Sequence, residues 1–448
     1  MAKVSESRRL VYDILLELEK DPVKADAVIR GELDKHAYME RRDRAFIKRL
    51  AEGCIERRIS LDHIIGQFSK TPVDKIKIPI KIILRMGIYQ IMYMDGVPDA
   101  AACNEAVSLC AARGFSGLKG FVNGVLRNVA REKEHIAWPE DPAGYLSTYY
   151  SVPRDIVEMF LKDYGEERAK TILEGIMAER PVTVRIREGF DEKELLKSWE
   201  EQGIVFRKSP YLERVYSLLE SDGLKNMAGY EEGAFYAQDV SAMLAVLAAA
   251  PGKDDKLADV CAAPGGKSIM AADLAGKVFA MDVSQARLKL MEENIGRLRP
   301  DNIEFSCGDA TKPVFEEESM DVVIADVPCS GLGVMGRKAD IRYRFDKKKE
   351  AELTKLQTAI AEQALKYVKP GGRFIYSTCT INRAENEDIR ERLLAGGELE
   401  SLDIYELIPS ALRCESAREG YIQLLPGEPA GSDIVDGFFI AAFRRKGG

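Results

Sequence analysis

The segment DVCAAPGGKS, from Asp259 to Ser268, decides the fold expected for this chain of 448 residues. It follows the apolar run LADVC (257–261) and leads into a helical pattern, as at a strand-to-helix turn of an α/β domain. Gly265 and Gly266 would let the backbone approach a bound ligand closely. The loop matches neither the GxxxxGK(S/T) pattern of nucleoside triphosphate sites nor the GxGxxG pattern of dinucleotide sites. A nucleotide-type ligand of another class is therefore expected.

Four apolar runs follow this loop and alternate with helical patterns, which is typical of a doubly wound parallel sheet. They are KVFAMDV (277–283), IEFSCGD (303–309), DVVIADVP (321–328) and RFIYSTC (373–379). Near the end, DGFFIAAFRR predicts another strand, which follows Pro and Gly instead of a crossover helix and could run antiparallel. Residues 231–448 are thus expected to form a Rossmann-like α/β domain.

When LADVC is counted as the first predicted strand, carboxylates stand at the ends of the second, third and fourth strands, as Asp282, Asp309 and Asp326. The carboxyl ends of parallel strands meet at one edge of the sheet, where open α/β sheets bind ligands. Asp282 lies about 20 residues after the glycine loop, where a carboxylate can bond ribose hydroxyls. Each Asp alone could instead cap the helix after its strand. Together with the loop, the three favour a cofactor site.

Two cysteines also fall at predicted strand ends, Cys329 after the fourth strand and Cys379 after the fifth. Four others are expected to be small apolar core residues: Cys54, Cys103, Cys110 and Cys307. The eight cysteines form no CxxC pair, so a reducing compartment is expected and a zinc site is not. All three histidines precede residue 140, which removes the commonest general base from the C-terminal part.

Two thiols in one cleft suit the methylation of carbon 5 of a pyrimidine. This carbon is a poor nucleophile, so a nucleophile must first add to carbon 6 and create an enamine. A free thiol, with a pKa of about 8.5, is little ionised at neutral pH but is intrinsically very nucleophilic. Asp326 is placed to protonate or hydrogen-bond N3 of the base. After methylation, Cys329 could assist loss of the carbon 5 proton and release of the thiol.

The motifs resemble those of the RNA cytosine-5 methyltransferases, in particular the RsmB/Sun branch. The resemblance rests on CAAPGGK (261–267), on Asp282 and Asp309, on DVPCSGLG from Asp326, and on TC at Thr378-Cys379. It implies S-adenosylmethionine as the cofactor, Cys379 as the nucleophile, Cys329 as the residue that aids release, and 16S ribosomal RNA as the substrate. The implied cofactor-binding residues are Cys261, Ala262, Ala263, Pro264, Gly265, Gly266, Lys267, Asp282, Asp309 and Asp326.

The first 140 residues are expected to be all-helical, because apolar residues recur at spacings of three and four in RLVYDILLELEK, AFIKRLAEGCIERRI and KIILRMGIYQIMYM. This region resembles the NusB-like RNA-binding domain. A connector containing Pro, AWPEDPAGYL, follows it. Within residues 141–230, helical pieces flank the strand-like VTVRIR (182–187), so a small α+β unit, similar to the RRM-like extension of some family members, is expected.

The net charge of −8 is unevenly distributed. Residues 1–140 carry 24 Lys and Arg against 20 Asp and Glu, whereas the remainder carries 41 against 53. Any affinity for RNA is therefore expected to be local. The basic stretch Glu40 to Arg49 is either a solvated helix face or an RNA-binding one. A second predicted patch for phosphate contact and base stacking comprises Arg337, Lys338, Arg342, Tyr343 and Arg344.

Departures from the family pattern are few. Thr380 stands where Ser is common, and Gly336 and Ala339 stand where Arg and Pro are frequent. None of these changes involves the two strand-end cysteines. We expect the change at Gly336 and Ala339 to alter contact with the target strand.

Three alternatives stay open at this point. A methyltransferase acting on an exocyclic amine typically has (D/N)PP(Y/F) after the fourth strand, where this chain has DVPC. A non-catalytic RNA-binding or antitermination factor would explain the helical region but not the acidic and thiol groups at the sheet edge. Transfer RNA is an alternative substrate. No segment has the roughly 20 consecutive apolar residues of a membrane span or the apolar core of a secretory signal, so a cytoplasmic protein is expected.

Overall fold

The computed structural model describes residues 5–20, 25–221, 223–429 and 433–447 of the chain. It contains two compact units. The first comprises Met1–Leu173 together with Arg337–Arg344, and the second comprises Glu174–Gly336 and Phe345–Gly448. The predicted middle region, residues 141–230, is thus divided between them. Within the described ranges, no helix is both long and apolar enough to cross a bilayer.

The first unit is helical, as predicted for its N-terminal part. Its helices are α1 (Glu6–Lys20), α2 (Ala25–Lys35), α3 (Arg41–Glu56), α4 (Arg58–Phe68), α5 (Ile78–Tyr93), α6 (Asp99–Ala112), α7 (Lys119–Glu132), α8 (Pro142–Tyr150) and most of α9 (Arg154–Met177). Helix α5 is buried on nearly all sides and packs against α1, α3, α4, α6 and α7. Gly53 of α3 lets this helix approach α5 closely, since a Cβ at this position would overlap the ring of Tyr89. An all-round apolar helix of this kind is the centre of a helical core.

Arg337–Arg344, although distant in sequence from the helices, packs among them. The fully buried guanidinium of Arg342 donates to the backbone oxygens of Glu56 (3.2 Å) and Ser151 (3.1 Å), at the C-terminal ends of α3 and α8. The last carbonyls of a helix have no intrahelical hydrogen-bond donor, and their oxygens carry partial negative charge. An arginine supplies both a hydrogen-bond donor and a positive charge to these oxygens. The Oη of Tyr343 donates to Ile55 O at 3.0 Å. The prediction that Arg342 belongs to an exposed phosphate-binding patch is therefore wrong.

The second unit begins with a small α+β region, which extends beyond the predicted bound at residue 230, since its fourth strand lies within residues 231–448. Its strands are β1 (Val182–Ile186), β2 (Val205–Lys208), β3 (Val215–Glu220) and β4 (Phe235–Ala237), with helix α10 (Glu192–Glu201) between the first two. The strands form an antiparallel sheet in the order β2-β3-β1-β4. Trp199 of α10 is fully buried against Phe235 and donates its Nε1 hydrogen to Ala228 O. A separate small core therefore holds this region together.

The larger sheet of the second unit contains the predicted parallel strands. Its strands are β5 (Lys256–Asp259), β6 (Lys277–Asp282), β7 (Ile303–Cys307), β8 (Met320–Asp326), β9 (Val368–Thr378), β10 (Leu399–Ser401), β11 (Tyr421–Leu424) and β12 (Phe438–Arg445). The order is β10-β12-β9-β8-β5-β6-β7, with β11 also paired to β12. Five consecutive strands, β9-β8-β5-β6-β7, are parallel, and β12 pairs with β9 antiparallel. The Rossmann-like fold and the antiparallel final strand are both confirmed.

Helices cover both faces of this sheet. They are α11 (Val240–Ala249), α12 (Gly266–Ala272), α13 (Gln285–Leu298), α14 (Lys347–Tyr367) and α15 (Glu387–Ala395). Along β8, Val322 and Ile324 join the core that includes α11, whereas Val323 and Ala325 join the core that includes α14. This alternation follows from the two-residue period of a strand. It explains why β8 reads as a continuous apolar run in the sequence.

Two predicted details differ at the sheet edge. Strand β7 ends at Cys307, so Asp309 lies two residues beyond the strand instead of at its end. Cys307 is exposed, because β7 is the edge strand and most of its residues face solvent. The prediction that Cys307 is a core residue is therefore wrong, whereas Cys54, Cys103 and Cys110 are buried as expected.

Candidate functional site

The glycine loop lies between β5 and α12, as the sequence predicts. Gly265 adopts a φ of 103°, a conformation that side-chain-bearing residues rarely adopt, and a Cβ there would approach Met291 Cγ to 3.0 Å. Gly266 has no such crowding, since a Cβ at this position would lie no closer than 3.7 Å to its nearest neighbour, Gln238. The loop therefore turns at the first glycine, whereas the second would accept a Cβ in ordinary van der Waals contact with Gln238.

Asp259, which precedes the loop, is almost fully buried. Its Oδ2 accepts a hydrogen bond of 2.7 Å from Ser268 Oγ. Burial raises the pKa of this carboxyl to about 6, although the bond from Ser268 and the charge of Lys267 oppose the shift. Burial, reinforced by Asp259 and Asp326, also raises the pKa of the Cys261 thiol, which stays protonated. The base of the loop is thus a dry environment.

Asp282, the last residue of β6, is hydrogen-bonded to the loop. Its Oδ2 accepts from Ala263 N at 3.1 Å and its Oδ1 accepts from Ser284 N at 2.9 Å. Arg287 forms an ion pair of 3.2 Å with the same carboxylate, which is otherwise buried. Asp282 therefore fixes the position of the loop relative to β6.

Asp309 differs from Asp282 in being accessible. Its side chain is 40% exposed, and its Oδ1 accepts from the backbone N (3.0 Å) and Oγ1 (2.7 Å) of Thr311. The hydrogen bonds from Thr311 lower the pKa of the Asp309 carboxyl. An ionised, accessible carboxylate can accept a hydrogen bond from a ligand.

Lys267 and Asp326 form an ion pair next to the two cysteines. The distance from Lys267 Nζ to Asp326 Oδ2 is 2.5 Å, and Ser377 Oγ donates to Asp326 Oδ1 at 3.0 Å. Burial acts to lower the pKa of Lys267, but the carboxylate of Asp326 outweighs it, so the pKa is raised and the ammonium stays charged. The pair provides a cation and a hydrogen-bonded carboxylate in a partly shielded position.

Cys329 and Cys379 meet at the carboxyl ends of β8 and β9, with 3.2 Å between their Sγ atoms. Both are free thiols and half-buried. The hydrogen bond to Cys379 raises the pKa of the Cys329 thiol well above its ordinary value, and burial and the charge on Glu385 act in the same direction. Negative charge on this pair is therefore disfavoured at Cys329.

The structure brings the predicted residues together to different degrees. Lys267, Asp326, Cys329 and Cys379 form one cluster, since Lys267 pairs with Asp326 and the sulfur atoms of Cys329 and Cys379 are in contact. The loop from Cys261 to Lys267 and Asp282 are linked by direct hydrogen bonds. Asp309 instead bonds within its own following turn, to Thr311 and Lys312.

Sequence reasoning missed the buried polar residues behind the cysteines, notably Gln357, Glu385 and Asn386. The one signal was the polar run NRAENE (382–387), which follows Cys379 closely. Such a run is equally typical of an exposed turn, so its burial was not predictable from composition.

Comparison with known proteins relates the N-terminal helical region and the Rossmann-like domain to known families. A model of the 16S rRNA methyltransferases RsmB/F matches residues 246–444, and a model of the NusB family matches residues 5–131. The chain is 32% identical over 457 residues to the probable ribosomal RNA small subunit methyltransferase B of Bacillus subtilis, covering 99% of this chain and 100% of the relative. A protein of the same name from Synechocystis is 31% identical over 449 residues, covering 98% and 99%.

The fold has a counterpart among solved structures. The crystal structure of the protein PH0851 is similar with a TM-score of 0.79, covering 98% of both chains at 21% sequence identity. At this level of identity the similarity concerns the fold alone.

Proposed function

Because this chain belongs to the ribosomal RNA small subunit methyltransferase B family, we propose that it methylates carbon 5 of a cytosine in 16S ribosomal RNA through a covalent bond from Cys379. The observation that carries this proposal is the 3.2 Å separation of the Cys329 and Cys379 sulfur atoms beside the Lys267–Asp326 ion pair. An amine methyltransferase has no use for two adjacent thiols, whereas transient addition to a pyrimidine ring requires one and benefits from the second.

The family cofactor is S-adenosylmethionine, and three features of the sheet edge fit it. Gly266 has no Cβ, so a ligand can approach its backbone closely, and no protein atom lies closer than 3.7 Å to the Cβ position. The accessible carboxylate of Asp309 can accept from hydroxyl or amino groups. The buried Nε2 of Gln238, next to Gly266, has no hydrogen-bond partner among the described residues and can donate to an acceptor of the cofactor. We propose that these groups bind it together with residues 261–267, Asp282 and Asp326. When bound, S-adenosylmethionine supplies an activated methyl group.

In the first step, the thiolate of Cys379 forms a bond to carbon 6 of the cytosine. The electron pair of the C5–C6 double bond moves to form a C4–C5 double bond, and the π pair of C4–N3 moves onto N3, which must take up a proton. Asp326 contacts N3 and passes it a proton taken from the ammonium of Lys267, which is hydrogen-bonded to the same carboxylate, so Lys267 is left neutral. Electron density then rises at carbon 5, which becomes nucleophilic.

In the release step, Cys329 removes the proton from the methylated carbon 5, the C5–C6 double bond re-forms and the Cys379 thiolate leaves, while N3 returns its proton through Asp326 to Lys267. Cys329 must first lose its own proton to solvent. Its raised pKa results mainly from the hydrogen bond to Cys379, and this cause disappears when the Cys379 sulfur is bonded to carbon. Cys329 therefore becomes easier to ionise at the stage that requires a base.

The target cytosine must be unstacked, because carbon 6 of a paired base is unreachable for a side chain. The helical unit offers a basic surface for RNA on α3, where Arg41, Arg42, Lys48 and Arg49 are exposed. Phosphate contacts of this kind weaken as salt rises, so affinity for RNA is expected to fall with ionic strength.

The test is transfer of labelled methyl from S-adenosylmethionine to 16S ribosomal RNA and to transfer RNA, both unmodified, followed by nucleoside analysis. The proposal expects 5-methylcytidine in the 16S RNA. Cys379→Ala should abolish transfer, and Cys329→Ala should accumulate a protein–RNA adduct stable in a denaturing gel. Label in another nucleoside, label in transfer RNA only, or full activity of Cys379→Ala would contradict it.

A further inference from the structure

Two adjacent side chains, Glu385 and Asn386, contact the backbone around both cysteines. Both are fully buried, and they lie between Cys379 and the start of α15. Their hydrogen bonds go to residues that flank the cysteines, so each acts on a cysteine through neighbouring groups. Glu385 bonds to the segment that contains Cys329, and Asn386 bonds to the segment that contains Cys379.

Glu385 holds the segment that carries Cys329. Its Oε2 accepts from Ser330 N at 2.9 Å, directly after the cysteine, and from Gln357 Nε2 at 2.8 Å. The same Gln357 Nε2 donates to Pro328 O at 2.9 Å, directly before the cysteine. Oε1 accepts from Asn382 Nδ2 at 3.0 Å. The residues on both sides of Cys329 are therefore fixed by one carboxylate and the amide bonded to it.

Asn386 holds the segment that carries Cys379. Its Oδ1 accepts from Thr378 Oγ1 at 2.6 Å, directly before the cysteine, and its Nδ2 donates to Thr380 O at 3.0 Å, directly after it. Nδ2 also donates to Gln423 Oε1 at 2.7 Å on β11. The position of Cys379 is thus fixed on both sides, as that of Cys329 is.

We propose that Glu385 and Asn386 are positioning residues that set the separation of the two catalytic thiols, Glu385 acting through the Cys329 segment and Asn386 through the Cys379 segment. The inference rests on the proposed function, because it assigns each residue to one of its two chemical steps. Glu385 serves the release step and Asn386 serves the attack step.

The donor and acceptor pattern makes both residues hard to replace. The Glu385 carboxylate accepts from three donors, on Ser330, Gln357 and Asn382, so an amide at this position would direct its NH₂ group at one of them. Asn386 must accept on one side and donate twice on the other, which a carboxylate cannot do. Displacements of about 1 Å between reacting groups can reduce rates by about a hundredfold. Small changes here should therefore affect chemistry more than folding.

The experiment measures RNA methylation and adduct yield with 16S RNA transcribed in vitro, free or assembled into small subunits. Glu385→Gln should lower the turnover at least about tenfold and accumulate a denaturant-stable adduct, as expected for Cys329→Ala. Gln357→Met removes the bonds to Pro328 and Glu385 by a different change and should give the same adduct. It also serves as the second variant if Glu385→Gln does not fold.

Asn386→Asp is tested in the Cys329→Ala background, where adduct formation reports the attack step alone. The rate of adduct formation should fall at least about tenfold relative to Cys329→Ala.

Asp321→Asn is the matched control for Glu385→Gln, because it is also a carboxyl-to-amide change and Asp321 lies at the opposite end of β8 from Asp326. It should form no adduct and keep the wild-type rate. Cofactor affinity by calorimetry shows that each variant is folded.

The outcomes separate the inference from the proposed function. If Cys379→Ala stays active or Cys329→Ala forms no adduct, the proposed function fails. If both cysteine variants behave as proposed, but Glu385→Gln and Gln357→Met form no adduct, the assignment of Glu385 is overturned. An unchanged adduct rate in the Asn386→Asp, Cys329→Ala double variant overturns the assignment of Asn386.

Discussion

The Sγ atoms of Cys329 and Cys379 lie 3.2 Å apart, well beyond the roughly 2.05 Å of a disulfide bond. The two residues follow neighbouring parallel strands, β8 and β9, whose register pairs Asp326 with Ser377. Sheet register therefore determines which residues meet at this edge, and the following loops bring the two sulfur atoms into contact. One thiol can donate its hydrogen to the other, so ionisation of the pair is coupled.

This coupling predicts how Cys329 should titrate when Cys379 is changed. In Cys379→Ala, the hydrogen-bond partner that raises the pKa of Cys329 is gone, so the pKa should fall and alkylation of Cys329 by iodoacetamide should begin at lower pH. Peptide mass spectrometry across pH 7–10 measures the midpoint. Cys261 is an internal control, because burial and nearby carboxylates, and not Cys379, raise its pKa. An unchanged Cys329 midpoint would refute the coupling.

The two glycines of the cofactor loop should respond differently to substitution. Gly265→Ala forces a side chain into a φ of 103° and toward Met291, and should lower the free energy of unfolding by about 1–2 kcal/mol. Gly266→Ala meets no protein atom closer than 3.7 Å, so stability should be retained, whereas affinity for S-adenosylmethionine should fall. Denaturant titration and calorimetry measure the two effects. Equal affinity of Gly266→Ala and wild type would contradict cofactor approach at this glycine.

Much of this edge was predictable because it depends on local sequence. Apolar runs, a glycine turn and polar residues directly after strands predict a parallel sheet with its functional groups at one edge, and the fold and the family are confirmed. The roles of Cys379, Cys329 and the cofactor-binding residues stay predictions. Their clustering was predictable to the level of the sheet edge, whereas the ion pair of Lys267 with Asp326 depends on side-chain packing.

What was not predictable depends on contacts distant in sequence. Arg342 carries the composition of an RNA-binding patch, and only its packing against helix ends nearly 200 residues or more earlier makes it a structural residue. Glu385 and Asn386 have the composition of an exposed turn but are fully buried. In each case the polar group is buried with specific hydrogen-bond partners, and a hydropathy pattern does not report such partners.

Arg342 should therefore contribute to the stability of the helical unit. Arg342→Met keeps much of the side-chain volume but leaves the carbonyls of Glu56 and Ser151 without their donor, which should cost about 1–3 kcal/mol. Hydrogen exchange at the C-terminal ends of α3 and α8 should accelerate. Lys338→Met, at an exposed position of the same segment, is the control and should change stability by less than about 0.5 kcal/mol. Similar exchange rates in the two variants would exclude the capping role.

Asp259 should make stability depend on pH in the direction opposite to that of most carboxyls. Its pKa is about 6 in the folded state against an ordinary 3.8, so its stabilising contribution is complete below pH 3.8 and is lost as pH rises through 6. The loss amounts to about 3 kcal/mol. Asp259→Asn stays neutral, so denaturant titrations should find its stability relative to wild type rising between pH 4 and 7. Partial burial acts to raise the pKa of Asp321, but its bond to Lys369 outweighs this and lowers the pKa, so Asp321→Asn should give the opposite trend. Parallel pH profiles of Asp259→Asn and wild type would show that this carboxyl does not titrate there.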